Sequence, residues 1–132
     1  TLTLGMDVIT DSYRSVVLYS PFIDLTLCGG LSVAREISTL AKLAHTRLSP
    51  HVWGGAVGLA AALHFTSAQA PWPHTDNVPY PVQLEYDQGE NALRDEIIKT
   101  PIRCIDGHLT VPSGPGLGIE LDWDAIEKYR VN

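Results

Sequence analysis

The chain has 132 residues, 45% of them hydrophobic and 18% charged, and a formal net charge of −6. That is one domain's length with enough apolar material for a core, and the acidic balance with scattered Lys and Arg speaks against nucleic acid or an anionic membrane as partner. Cys28 and Cys104 have neither metal-ligand spacing nor the number of a disulfide framework, so a reducing, cytoplasmic compartment is expected. No signal-peptide pattern opens the sequence, and its most apolar run, 52–65, is too short to span a bilayer. The first residue is Thr1, which reads as a fragment or a trimmed chain.

Thr1 to Gly5, TLTLG, alternates as a strand and ends on glycine. Residues 6–20 carry little pattern beyond the apolar Val16-Val17-Leu18, and Pro21 interrupts before the next element. From Phe22 to Gly55 the rhythm is that of βα units. A short apolar run ends at Asp24, Gly29-Gly30 turns the chain, and a helical period follows from Leu31 to about His45. Its apolar face is Val33, Ile37, Leu40, Ala41 and Ala44. Leu48-Ser49-Pro50 then leads to His51, and Gly54-Gly55 opens a second helix to about Ala68. The Gly and Ala content of that helix suits close packing on a sheet.

Residues 70–81, APWPHTDNVPYP, form a loop without periodicity, long enough to lie across a site mouth; Trp72 and His74 are candidates for its lining, with an ordinary surface loop the preferred reading. Val82-Gln83-Leu84 reads as a short strand ending at Glu85, and Asn91 to Lys99 as a helix of two turns stopped before Pro101. In 102–111 the apolar residues alternate around Asp106-Gly107, a type I′ hairpin signal. A turn and strand follow in SGPGLGIELD, then a short helix with Asp122 as its N-cap. The GPGLG run, 114–118, lacks the lysine and hydroxyl of a phosphate loop. The acidic run Asp122, Asp124, Glu127 suits an exposed helix face, and His64 a helix-packing role.

Asp24 and His51 occupy equivalent places in consecutive βα units. Parallel neighbouring strands would bring both side chains out at the C-terminal edge, where sites of α/β barrels and open α/β sheets lie. A carboxylate beside an imidazole fixes its tautomer and makes a general base. The alternative is that Asp24 caps the turn and His51 is a satisfied core histidine. Glu85, ending a strand one unit later, falls on the same edge by the same logic, although alone it would read as an exposed loop glutamate.

DLTLCGGLSVAREI followed by SPHVWGG, then LEYD and DGHLTVPSGPGLGIELD, in that order, resembles the enolase superfamily in its mandelate-racemase subgroup, over about residues 22–132. The resemblance implies an α/β fold, the C-terminal part of a TIM-like (β/α)7β barrel, as an incomplete barrel fragment. Residues 1–101 would be a partial barrel from the end of strand five to strand eight, and 102–132 a return hairpin and short helix of the same domain. It implies Asp24 and His51 as a catalytic dyad, Glu85 as the group that steadies an enolate, and proton abstraction α to a carboxylate. The substrate would be a small carboxylate, an acid sugar dehydrated to a 2-keto-3-deoxy acid. Racemisation, epimerisation or dehydration of a hydroxyproline-like acid are the alternatives within the family.

Mg²⁺ is the implied cofactor of the complete enzyme, held by carboxylates of strands three to five. Here the expected glutamate position is Met6, whose thioether is a poor ligand for a hard ion, and Asp7 is a weak substitute. The expectation is therefore that this chain alone does not bind the metal. The stretch from Gly5 to Asp24 is also too short for the helix and strand the family places there. The missing N-terminal half of the barrel, a capping domain and a homo-oligomer are the implied partners. The reading from another class is a non-catalytic half-barrel that binds a partner through exposed strand edges.

Overall fold

The computed structural model describes residues 22–44, 46–69 and 83–131. Strand β1 (Phe22–Asp24), helix α1 (Gly30–Leu43), strand β2 (Ser49–His51) and helix α2 (Ala56–Ser67) follow one another as two βα units. β1 and β2 pair in parallel with Phe22 opposite Ser49, Ile23 opposite Pro50 and Asp24 opposite His51. This is the α/β arrangement expected, and Asp24 and His51 stand in register at one end of the pair. The expected strand at 1–5, the metal-position residues Met6 and Asp7, and Trp72 and His74 lie outside the described residues.

α1 begins where Gly29 adopts φ 106°, a left-handed conformation open to glycine. A Cβ there would also stand 2.9 Å from Val33 Cγ2. The helix buries Ala34 and Ala41 and half-buries Ile37, while Val33, Leu40 and Ala44 face outward. The buried stripe is thus set one residue round from the expected face. Two small side chains and Ile37 meet the core, while Val33 and Leu40 do not.

α2 is buried almost all round, through Ala56, Leu59, Ala60, Ala62, Leu63, Phe65 and Thr66. It joins Ile23, Leu25, Leu84, Ile98 and Ile102 in one cluster. Burial on that scale contributes roughly 1.5–3 kcal/mol for each large side chain. No helix among the described residues is long and apolar enough to cross a membrane.

After α2 the expected third strand is only begun. Residues 83–88 have no strand assignment, yet the Glu85 N–H donates to Pro50 O at 3.0 Å, continuing the sheet by one rung. The expected two-turn helix at 91–99 is a single turn, α3 (Ala92–Asp95). Two backbone bonds from the chain's end explain its early stop: Asp122 N–H donates to Ile97 O at 2.9 Å, and Lys99 N–H to Glu120 O at 2.9 Å. Ile98 and Leu121 form an antiparallel bridge, so tertiary pairing overrides local helix preference.

The return segment keeps its expected turns. Ile105 and His108 bridge across Asp106 (φ 49°) and Gly107 (φ 77°), positive at both central positions as a type I′ turn requires. In the GPGLG run, Gly118 has φ 69° and a Cβ there would lie 2.7 Å from the Pro112 carbonyl, so the run serves a tight turn. His64 Nε2 donates to Leu117 O at 3.1 Å, fastening this turn to α2. Helix α4 (Trp123–Lys128) starts with Asp122 accepting from Ala125 N–H at 3.0 Å, the expected cap.

Candidate functional site

β1 and β2 deliver Asp24 and His51 side by side, and the turns that follow shape a shallow depression. Asp24, Thr26, His51, Trp53, Gly54 and Gly58 are among its lining residues. Gly58 belongs to α2, and a Cβ on it would stand 2.9 Å from Thr26 Cγ2. A glycine at that position lets the helix approach the turn after β1 without a clash.

The Asp24 carboxylate is engaged by its own turn. Its Oδ1 accepts from Thr26 N–H at 2.7 Å and from the Thr26 hydroxyl at 2.5 Å. Its main-chain carbonyl accepts from Leu27 N–H at 3.2 Å and Cys28 N–H at 2.8 Å. Burial alone raises the carboxyl's pKa. The Thr26 hydroxyl and N–H, the nearby His51 and the Leu27 N–H together outweigh that and hold it below its ordinary value.

His51 meets a different carboxylate. Its Nδ1 is joined to Glu85 Oε2 in a short hydrogen bond, with side chains 38% and 39% exposed, so the pair opens to solvent. Sequence reasoning expected Asp24 within hydrogen-bond reach of His51 as its orienting partner. In the structure Asp24 and His51 stand opposite each other in register, His51 Nδ1 bonding Glu85 and Asp24 Oδ1 accepting from Thr26. Thr26, two positions on, offers Asp24 Oδ1 both an N–H and an O–H. All three expected residues nevertheless lie at one edge, with Glu85 brought there by its rung on Pro50.

A residue that sequence reading passed over is Arg94, buried at 7% exposure. Its Nη1 donates to Asp87 O at 2.5 Å and its Nη2 to Gly89 O at 2.8 Å, while Nε and Nη2 fork onto Asp95 at 3.0 and 2.8 Å. The Asp95 hydrogen bonds raise its pKa, burial opposes them, and the nearby Tyr86, Asp95 and Asp87 add to the rise. The signal in sequence was a cation four residues before Ile98, on what would be the buried face of a helix.

Among the described residues, no group of three or more His, Cys, Asp or Glu side chains could hold a metal ion. Cys28 and Cys104 are free thiols.

Two parallel βα units with a histidine and two acids at their C-terminal edge are the local arrangement of an α/β fold. Residues 21–125 match the family described as Enolase C-terminal domain-like, and the chain belongs to that family, the barrel domain of the enolase superfamily. It is 43% identical to D-galactarolactone cycloisomerase of Agrobacterium fabrum over 108 residues, 82% of this chain and 28% of that protein. It is 33% identical to arabinonate dehydratase of Saccharolobus solfataricus over 108 residues, 81% of this chain and 26% of that one. The crystal structure of 3,6-anhydro-D-galactonate cycloisomerase from Zobellia galactanivorans superposes with TM-score 0.68 at 36% identity, covering 83% of this chain and 28% of that one. The chain thus spans little more than a quarter of the length of these relatives.

Proposed function

We propose that this chain supplies the base-bearing edge of an enolase-superfamily active site that removes the proton α to the carboxylate of an acid sugar. The observation that carries the reading is the His51–Glu85 pair at the C-terminal edge of β1 and β2, with Asp24 alongside. Glu85 accepting from Nδ1–H leaves Nε2 as the basic nitrogen. That nitrogen takes the α-proton, and the imidazolium formed is stabilised by Glu85 in contact and by the Asp24 charge nearby. Positioned acid–base catalysis of this kind contributes roughly 10²–10⁴-fold.

The proton on His51 then has a destination. Returned to a departing β-hydroxyl, it completes dehydration to a 2-keto-3-deoxy acid, the outcome that the resemblance implies. Cycloisomerisation of a sugar-acid lactone is the second reading, favoured by the 43% identity to a protein of that activity. Both outcomes begin with the same proton transfer. In the complete enzyme Mg²⁺ would stabilise the enolate, held, as the resemblance implies, by carboxylates of strands three to five.

The test is solvent deuterium incorporation at the α-carbon of a panel of aldonates, aldarates and their lactones. The chain is assayed together with the remaining barrel and capping segments of a relative such as the Agrobacterium cycloisomerase. Exchange should appear, and fall at least about 100-fold in His51→Asn. Equal exchange by His51→Asn would show that the base lies elsewhere. Product analysis then separates a keto acid from a rearranged lactone.

A further inference from the structure

Glu85 reaches His51 from a segment that is neither helix nor strand, and that segment is anchored at three points. At its start the Glu85 N–H donates to Pro50 O at 3.0 Å, in the strand that carries His51. At its end Asn91 Nδ2 donates to Gly54 O at 3.1 Å, in the turn just after His51. Between these two points the segment is gripped by Arg94, which reaches back from α3. Two of its donors take the main-chain carbonyls of Asp87 and Gly89, two take Asp95, and its cation stands 5.1 Å from the centroid of the Tyr86 ring, next in sequence to Glu85. Tyr86 is itself tied down, its hydroxyl donating to Ile102 O at 3.3 Å. A buried guanidinium is stable only when its donors are used, and only a planar fork reaches carboxylate and carbonyls together.

We propose that Arg94 is a positioning residue for the His51–Glu85 pair. By clamping the main chain at 87–89 it seats the Glu85 carboxylate on Nδ1, and so holds the imidazole in the tautomer whose Nε2 is unprotonated. The use made of that nitrogen rests on the proposed function; the clamp itself does not. Other charged groups bear on the arrangement: Asp95, which Arg94 grips and Arg103 Nη1 approaches at 3.5 Å; Asp87, whose carboxylate is 3.7 Å from Arg94 Nη1; and Asp24, from β1.

The imidazole ¹⁵N resonances of the 132-residue chain report the tautomer directly. The wild type should show His51 protonated at Nδ1 at neutral pH, and Glu85→Gln should lose that preference. Arg94→Lys should move His51 toward the Glu85→Gln spectrum, because an ammonium cannot span the same acceptors. The double variant Arg94→Met with Asp95→Asn removes the clamp by a second route without stranding the Asp95 carboxylate, and decides the matter if the lysine variant does not fold. A folded Arg94 variant with the wild-type tautomer overturns the proposal, as does a Glu85→Gln spectrum identical to wild type.

In the deuterium assay of the reconstituted enzyme, the Arg94 variants should lose about 100-fold in kcat with KM little changed, as expected of a misplaced base. A tautomer shift without any wild-type exchange would uphold the clamp and defeat the proposed reaction. Exchange lost on His51→Asn but untouched by Arg94 substitution, with the tautomer unmoved, would do the opposite.

Discussion

The turn after β1 and the arm after α2 each bring a carboxylate to His51, and they hold it in opposite ways. Asp24 lies in a closed turn where the Thr26 N–H and hydroxyl occupy its Oδ1. Glu85 lies on an arm whose backbone is pinned at both ends, by Pro50 and Gly54, while its side chain is left to meet the imidazole. An aspartate two residues before a threonine is satisfied locally, because an Asx-type turn costs little ordering. A glutamate on a tethered but irregular segment has no such neighbour. Position on the sheet edge is thus common to both acids, and local hydrogen bonding decides which one the histidine engages.

The largest effect expected from breaking this difference is on rate. In the reconstituted enzyme, Glu85→Gln should lower α-proton exchange by about 10²–10⁴-fold, as loss of a base's orienting group does. Asp24→Asn should lower it only several-fold, since it removes a nearby charge and not a hydrogen-bond partner. Equal losses in the two variants would erase the distinction between the carboxylates.

A smaller effect is expected from the packing of α2 on the Asp24 turn. Gly58→Ala places a Cβ 2.9 Å from Thr26 Cγ2, an overpacking that should cost about 1–3 kcal/mol in denaturant unfolding. Thr26→Ser removes the obstructing methyl and keeps the hydroxyl. The double variant should therefore recover most of that loss, whereas simple additivity would show that the contact is not the cause.

The smallest effect is on pH dependence. The Asp24 carboxyl is held below its ordinary value of 3.8, burial opposing and the Thr26 hydroxyl and N–H prevailing. A depressed folded-state pKa gives stability that is complete above the unfolded value and lost as pH falls through the folded one. Wild type should accordingly lose more stability than Asp24→Asn on acidification below the ordinary carboxyl range, with parallel curves at neutral pH. Unfolding midpoints measured from pH 7 to pH 2 check this, and a gap between the curves that stays constant over that range contradicts it.

Much of this arrangement is legible in the residues alone. Gly29-Gly30 after an apolar run, and Gly54-Gly55 after SPH, mark two βα units and put Asp24 and His51 at matching ends. Asp106-Gly107 and Asp122 announce a turn and a cap through chemistry confined to a few neighbouring positions. What could not be read depends on contacts distant in sequence. α3 stops after one turn because Ile97 and Lys99 pair with residues 120–122. The buried face of α1 is set by what packs against Ala34 and Ala41, not by its own larger side chains. The spacing of Arg94 from Ile98 hints at burial, but its acceptors, the carbonyls of Asp87 and Gly89, are not legible in sequence. The partner of His51 needed both kinds of information, for Thr26 is a local signal and the Glu85 rung on Pro50 is not.

The tautomer of His51, read from its ring ¹⁵N resonances in Asp24→Asn and Glu85→Gln side by side, tests the assignment of its partner most directly. If Glu85 holds Nδ1, Asp24→Asn keeps the proton on that nitrogen and Glu85→Gln releases it. The opposite pattern, with the tautomer lost in Asp24→Asn and kept in Glu85→Gln, would return Asp24 to the role of orienting residue and leave Glu85 free of it.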